Sequence, residues 1–207
     1  MNILEKVKED QIAQVKNIME GAAKAKPKGT VLFGDSLLQF FPIATYFPKE
    51  VMYNCGCQGA TTDLLLHLQP YAVRNYDPSR VILLAGTNDL NDEWRFDRLE
   101  IAFNIYKLIT IMRNHNPSLQ VIVISPLPIR EETMKCDARD NVQLRLLGDE
   151  IRNNCEEFTN TYYVNMYPFF LDARGQLKQE LTSDGLHLNE QGYALFASLL
   201  REYIEVE

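Results

Sequence analysis

Histidine is scarce in this chain, with His67, His115 and His187 the only three among 207 residues. Cysteine is confined to Cys55, Cys57, Cys136 and Cys155, and Cys-x-Cys at 55 and 57 has no histidine or further cysteine close by. No metal-ligand spacing takes shape from so few donors, so no metal is expected. Basic excess is missing as well. The 21 Lys and Arg stand against 28 Asp and Glu, a net charge of −7. Without a dense Lys/Arg stripe to neutralise phosphates, a nucleic-acid partner is not expected. No apolar run is long and clean enough to span a bilayer, and residues 1–19 are amphipathic with no secretory h-region. These absences lead to the expectation of a cytoplasmic protein without integral membrane association, its thiols reduced.

What remains is the composition of a globular chain, 46% hydrophobic and 24% charged, of a length that suits one α/β domain over 1–207. Leu4, Val7, Ile12, Val15 and Met19 recur at helical spacing, which predicts a covering helix over 3–23. Five apolar runs follow, near 30–34, 51–54, 80–85, 121–125 and 162–165, and helical patterns separate them at about 60–75, 97–115 and 138–159. Val81-Ile82-Leu83-Leu84 is apolar on both faces, as a central parallel strand requires. Strands alternating with helices predict an open parallel sheet with right-handed crossovers. A last helix carries Tyr193, Phe196, Leu200 and Ile204 on one face.

Polar residues gather where those strands end. The first empties into Gly34-Asp35-Ser36-Leu37, the second into a loop containing Gly59, and the third into Gly86-Thr87-Asn88-Asp89. In an open parallel sheet this rim is where ligands bind. Asp35-Ser36 alone is also an ordinary helix cap. A serine that attacks an acyl carbonyl needs a base, a carboxylate that orients the base, and donors where the oxyanion forms. His67 sits in a Leu-rich helix and His115 at a helix end, so by elimination the base is His187, three residues after Asp184. An Asx-type turn leading to a helix capped by Asn189 would explain Asp184 and His187 alone, but not the other two polar turns. Asp35 and Asp89 read as scaffold acceptors.

Gly34-Asp35-Ser36-Leu37, Gly59, Gly86-Thr87-Asn88-Asp89 and Asp184-x-x-His187 together resemble the four sequence blocks of the SGNH, or GDSL, hydrolase superfamily, in order and over about 30–200. Within it the chain looks most like the small bacterial acylhydrolases related to platelet-activating-factor acetylhydrolase. The resemblance implies a three-layer α/β/α, flavodoxin-like fold with strand order 2-1-3-4-5. It also implies Ser36 as nucleophile, His187 as base, Asp184 as third triad member, and an oxyanion hole of Ser36 N–H, Gly59 N–H and the Asn88 amide. The activity implied is that of a carboxylic ester hydrolase. Activity would then fall as pH drops and the imidazole protonates.

Phe33, Leu37, Phe40, Phe41, Trp94, Phe96, Leu127, Pro128 and Ile129 are candidates for a pocket wall, although aromatics at such spacing are mostly core. No lid-sized insertion interrupts the core elements, which favours short acyl groups. The partner expected is a small-molecule, lipid or sugar ester. Carbohydrate O-deacetylase, thioesterase or lysophospholipase activity stands as the alternative, and a non-catalytic binding protein of the same fold as a further one. The sequence does not choose between a monomer and a homodimer.

Overall fold

The computed structural model describes residues 3–91, 96–134 and 138–205. Trp94 and Cys136 lie outside the described residues. In chain order the elements are α1 (Glu9–Ala22), β1 (Thr30–Gly34), α2 (Ser36–Gln39), α3 (Ile43–Tyr46), β2 (Met52–Gly56), α4 (Thr62–Ala72), β3 (Arg80–Leu84), α5 (Arg98–His115), β4 (Gln120–Ile124), α6 (Asn141–Cys155), β5 (Thr161–Val164) and α7 (Glu190–Ile204). Every strand pairing is parallel, and the sheet order is β2-β1-β3-β4-β5. The implied order 2-1-3-4-5 is thus the observed one.

Strand side chains alternate between faces, and here each face has its own core. Val31, Phe33, Val81, Leu83, Val121 and Val123 pack with Leu65, Leu68, Ile105, Leu108, Leu144 and Leu147 of α4, α5 and α6. Leu32, Ile82, Leu84, Ile122 and Ile124 pack on the other face with Leu38, Phe41, Phe196 and Leu200, from α2, the turn after it, and α7. Both faces are covered, which gives three layers and explains why the central strands are apolar throughout. Among the described residues no helix is long and apolar enough to cross a membrane. Cys55, Cys57 and Cys155 are buried free thiols.

The N-terminal helix differs from its expected form. It is divided into a 3-10 turn at Ile3–Glu5 and α1, because Lys8 is extended and its N–H donates to the Gln11 side chain, Oε1, at 2.9 Å. The buried face of α1 is Gln11, Val15 and Ile18, while Met19 is exposed. A face counted from apolar residues misses this phase, since one of its core positions is a glutamine.

Register puts the candidate residues at one edge. Gly34 is level with Gly56 on one side and with Leu84 on the other, so β1, β2 and β3 end together. Ser36, Gly59 and Asn88 follow those ends within four residues. Gly34 is required by crowding rather than by a turn, because a Cβ there would run into the Leu84 carbonyl oxygen.

Candidate active site

Ser36 opens α2, a helix of one turn capped by Asp35, whose Oδ1 accepts the Leu37 N–H at 2.9 Å. Such a cap is worth about 1 kcal/mol and fixes the backbone just where the hydroxyl emerges. The Ser36 Oγ lies 3.0 Å from His187 Nε2, and His187 Nδ1 lies 2.7 Å from Asp184 Oδ2. A hydroxyl, an imidazole and a carboxylate therefore form one hydrogen-bonded line, across 151 residues of sequence between Ser36 and His187.

Asp184 uses its two oxygens for two tasks. Oδ1 accepts the N–H groups of Leu186 and His187 at 2.9 and 2.8 Å, an Asx-type turn, and Oδ2 faces the imidazole. One side chain thus makes both the turn bonds and the contact with the imidazole. Partial burial raises the Asp184 pKa, but the hydrogen bonds from the His187 ring and from the Leu186 and His187 N–H groups outweigh it and hold the carboxyl at about 2. This residue stays a carboxylate in neutral and mildly acidic solution.

The turn is braced from outside. Thr182 Oγ1 donates to the His187 carbonyl at 2.7 Å and accepts the Gly185 N–H at 2.9 Å. Arg130 N–H donates to the Gly185 carbonyl at 2.8 Å, and Thr133 Oγ1 reaches the Asp184 carbonyl at 3.3 Å. Arg130 is buried and held by Glu132 and Asp172, with Nη1 also donating to the Leu177 carbonyl. None of these bracing residues stands out in the sequence, because a threonine or arginine in a loop carries no periodic signal.

Gly59 and Asn88 lie on the same rim. Gly59 has φ +69°, and a Cβ there would meet only Gln11 Nε2 at 3.5 Å. The left-handed backbone at this position is what favours glycine. Asn88 is buried, and its Nδ2 donates to the Ala60 carbonyl at 3.1 Å, leaving a second N–H on the same nitrogen. Among the described residues neither Ser36 N–H nor Gly59 N–H is spent on a backbone acceptor. Donors at the start of a short helix, in a left-handed turn and on a fixed amide are the kind that can receive developing negative charge.

Two buried carboxyls support this rim. Asp89 accepts the Thr62 N–H at 2.9 Å and the Thr62 hydroxyl, which ties the third strand's turn to the start of α4. Burial pushes Asp89 up to about 6 despite those bonds. Asp35 goes further, to about 7, chiefly by burial and next by the charge of Asp89, with the Leu37 N–H and Arg139 opposing. The folded-state pKa of Asp35 lies above its ordinary value of 3.8. Its contribution to stability is therefore full below about pH 4 and is lost as pH rises through 7, on the order of 4 kcal/mol. Asp35→Asn keeps a capping oxygen and removes the charge. The melting temperature of the variant minus that of the parent should rise by roughly 5–10 °C between pH 4.5 and pH 8. A difference that stays constant across this range would show that Asp35 carries no such proton.

The candidate wall residues separate. Phe33, Leu37, Phe41, Leu127 and Ile129 are buried in the two cores, and Phe96 packs against one of them. Phe40 is exposed, and its ring meets the His187 ring edge-on at 5.7 Å between centroids. Its N–H bonds to the Ser36 carbonyl at 2.9 Å, one helical turn on, so Ser36 and Phe40 share a face. His67 is paired with Lys6 at 3.0 Å and lies 3.9 Å from Asp63, and His115 is exposed at the end of α5. Neither joins the Ser36 line.

A profile described as the GDSL-like Lipase/Acylhydrolase family matches residues 32–195. No curated protein matches the chain. Solved structures similar to it include a Streptococcus pneumonia protein described provisionally as a platelet activating factor. That one is 23% identical, with 95% of this chain and 93% of that chain covered and a TM-score of 0.88. A GDSL-like lipase from Bacteroides thetaiotaomicron is 23% identical over 93% of this chain and 97% of its own, with a TM-score of 0.80. An acetylxylan esterase from Geobacillus stearothermophilus is 17% identical over 89% and 97%, with a TM-score of 0.68. At these identities the likeness carries the fold. The profile match spans well over half of the chain, which therefore belongs to the GDSL-like lipase/acylhydrolase family and is an ester hydrolase.

Proposed function

We propose that the chain hydrolyses esters of short acyl groups through an acyl-enzyme on Ser36, with His187 as base, Asp184 as its orienting carboxylate, and no cofactor. The observation that carries this reading is the unbroken line Ser36 Oγ–His187 Nε2–His187 Nδ1–Asp184 Oδ2 at 3.0 and 2.7 Å. As Oγ adds to the acyl carbonyl, its proton passes to Nε2. The carbonyl oxygen becomes an oxyanion facing Ser36 N–H, Gly59 N–H and Asn88 Nδ2. Collapse breaks the bond to the leaving oxygen, which takes the proton from the imidazolium. Water then repeats the addition on the acyl-enzyme, with His187 taking its proton and returning it to Ser36. Preorganised donors of this kind act only as charge develops, so they lower the barrier rather than tighten substrate binding.

Phe40 supplies an apolar surface beside the base, and the short-acyl preference rests on it and on the absence of a lid-sized insertion. Removing an aromatic wall of this size costs about 1–3 kcal/mol with substrates that touch it. Phe40→Ala should lower kcat/KM for p-nitrophenyl butyrate about tenfold or more while acetate changes less. Equal losses for both esters would place Phe40 outside the acyl path.

A second reading, carbohydrate O-deacetylation, is favoured by the openness of the site. The His187 side chain is 33% exposed and that of Asp184 54%, so among the described residues this side of the pair is open enough to admit a bulky alcohol. The fold-level likeness to an acetylxylan esterase fits this reading too. A panel of acetylated xylose against p-nitrophenyl acetate, butyrate and octanoate separates the two. A kcat/KM for the sugar ester far above that for the activated acetate would favour the deacetylase.

A further inference from the structure

Gln11 lies in α1, before the span that the family profile covers, yet its side chain is buried to 4% exposure and ends at the candidate site. Its Nε2 donates to the Gln58 carbonyl at 2.8 Å. That carbonyl belongs to the same peptide unit as the Gly59 N–H. A trans peptide is planar, with C=O and N–H pointing opposite ways, so a bond that fixes one end fixes the direction of the other. Donation to the carbonyl also polarises the N–H across the unit.

We infer that Gln11 is a positioning residue, holding the peptide between Gln58 and Gly59 so that Gly59 N–H faces the Ser36 rim. The inference rests on the oxyanion role given above to Gly59. The amide is itself oriented from behind, because Gln11 Oε1 accepts the Lys8 N–H, which leaves Nε2 as the end turned toward the loop. Neighbouring bonds hold the adjacent backbone, and the Gln58 carbonyl itself has, beside Gln11, a long contact from the Cys57 thiol at 4.0 Å, far weaker than an amide bond at 2.8 Å. Gln14 Nε2 donates to the Gly56 carbonyl at 2.7 Å, and Gln58 N–H donates to Gln39 Oε1 at 2.5 Å. Gly59 needs such a hold, since a glycine at φ +69° has no side chain to restrict it. α1 thus has a second task beside covering the sheet.

The test is steady-state hydrolysis of p-nitrophenyl butyrate by Gln11→Glu, which keeps the oxygen for Lys8 N–H and removes the donor to Gln58. The expected result is a kcat about tenfold lower with KM within twofold, a smaller loss than the roughly 10²–10³ for deleting a donor outright. Binding of an alkylboronic acid, whose tetrahedral adduct on a serine mimics the oxyanion state, should weaken by the same factor. Gln11→Met serves if the glutamate variant fails to fold. Asn154→Ala removes a comparable side-chain bond, from Asn154 Nδ2 to the Ala102 carbonyl. It should lower the melting temperature and leave kcat unchanged. Parental kcat and boronate affinity in a folded Gln11 variant would overturn the inference, as would an equal loss of kcat in Asn154→Ala. Ser36→Ala is run alongside. If that variant is inactive while Gln11→Glu is fully active, only the role of Gln11 fails. If it remains active, the acyl-enzyme reading fails first and this inference falls with it.

Discussion

Ser36→Ala should lower kcat by about 10⁵–10⁶-fold and abolish the burst of p-nitrophenol from an activated ester, with the melting temperature nearly unchanged. The size follows from the chemistry. Without Oγ there is no covalent intermediate, and only the donors and bound-state orientation remain to act on water, which is worth about 10³–10⁴ over the uncatalysed reaction. The fold should not notice the change, because Asp35 supplies the cap and α2 keeps its backbone bonds from Gln39 N–H to Asp35 and from Phe40 N–H to Ser36. Stopped-flow measurement of the burst amplitude checks this, and a full-sized burst from the variant would remove Ser36 from the mechanism.

The second large effect belongs to Asp184→Asn, for which kcat should fall about 10³–10⁴-fold. An asparagine can still accept the Leu186 and His187 N–H groups through its oxygen, so the turn survives. Its NH₂ then faces His187 Nδ1, where a carboxylate oxygen now sits at 2.7 Å. That contact favours the tautomer with the proton on Nε2, which cannot accept from Ser36. Asp184 is exposed, and solvent screens the charge part of its effect, so most of the loss comes from the tautomer. Because the carboxyl is held at about 2, its own titration does not shape the activity between pH 5 and 8. The stability it adds is present above pH 3.8 and is lost as pH falls toward 2. A variant within tenfold of the parent across pH 5–8 would contradict this role. Asp184→Ala, which also loses the turn, should be less stable than Asp184→Asn.

Much of the fold, and the rim that carries the candidate site, is legible in the sequence, and the reason is local. The first three strands are short apolar runs whose polar turns follow at once, so Ser36, Gly59 and Asn88 stand out one by one. Asp184 and His187, twenty residues and more beyond β5, stand out because histidine is scarce. Parallel topology then brings their turns to one edge. The structure also resolves which of two adjacent aromatics faces the site. Phe40 and Phe41 look alike in sequence, but one meets the imidazole and the other fills the core beneath α7. Contacts between polar groups far apart in sequence leave no such trace. The bond from Gln11 to Gln58 spans 47 residues, and that from Thr133 to Asp184 spans 51. Hydrophobic periodicity scores a buried glutamine as a surface residue, so apolar spacing finds Val15 on the inward face of α1 and misses Gln11.

Intact and peptide mass spectrometry after reaction with a fluorophosphonate probe tests the nucleophile most directly. One adduct per chain is expected, on the peptide that carries Ser36, and none in Ser36→Ala. An adduct on another residue, or ester hydrolysis that continues undiminished in Ser36→Ala, would contradict an acyl-enzyme at this position.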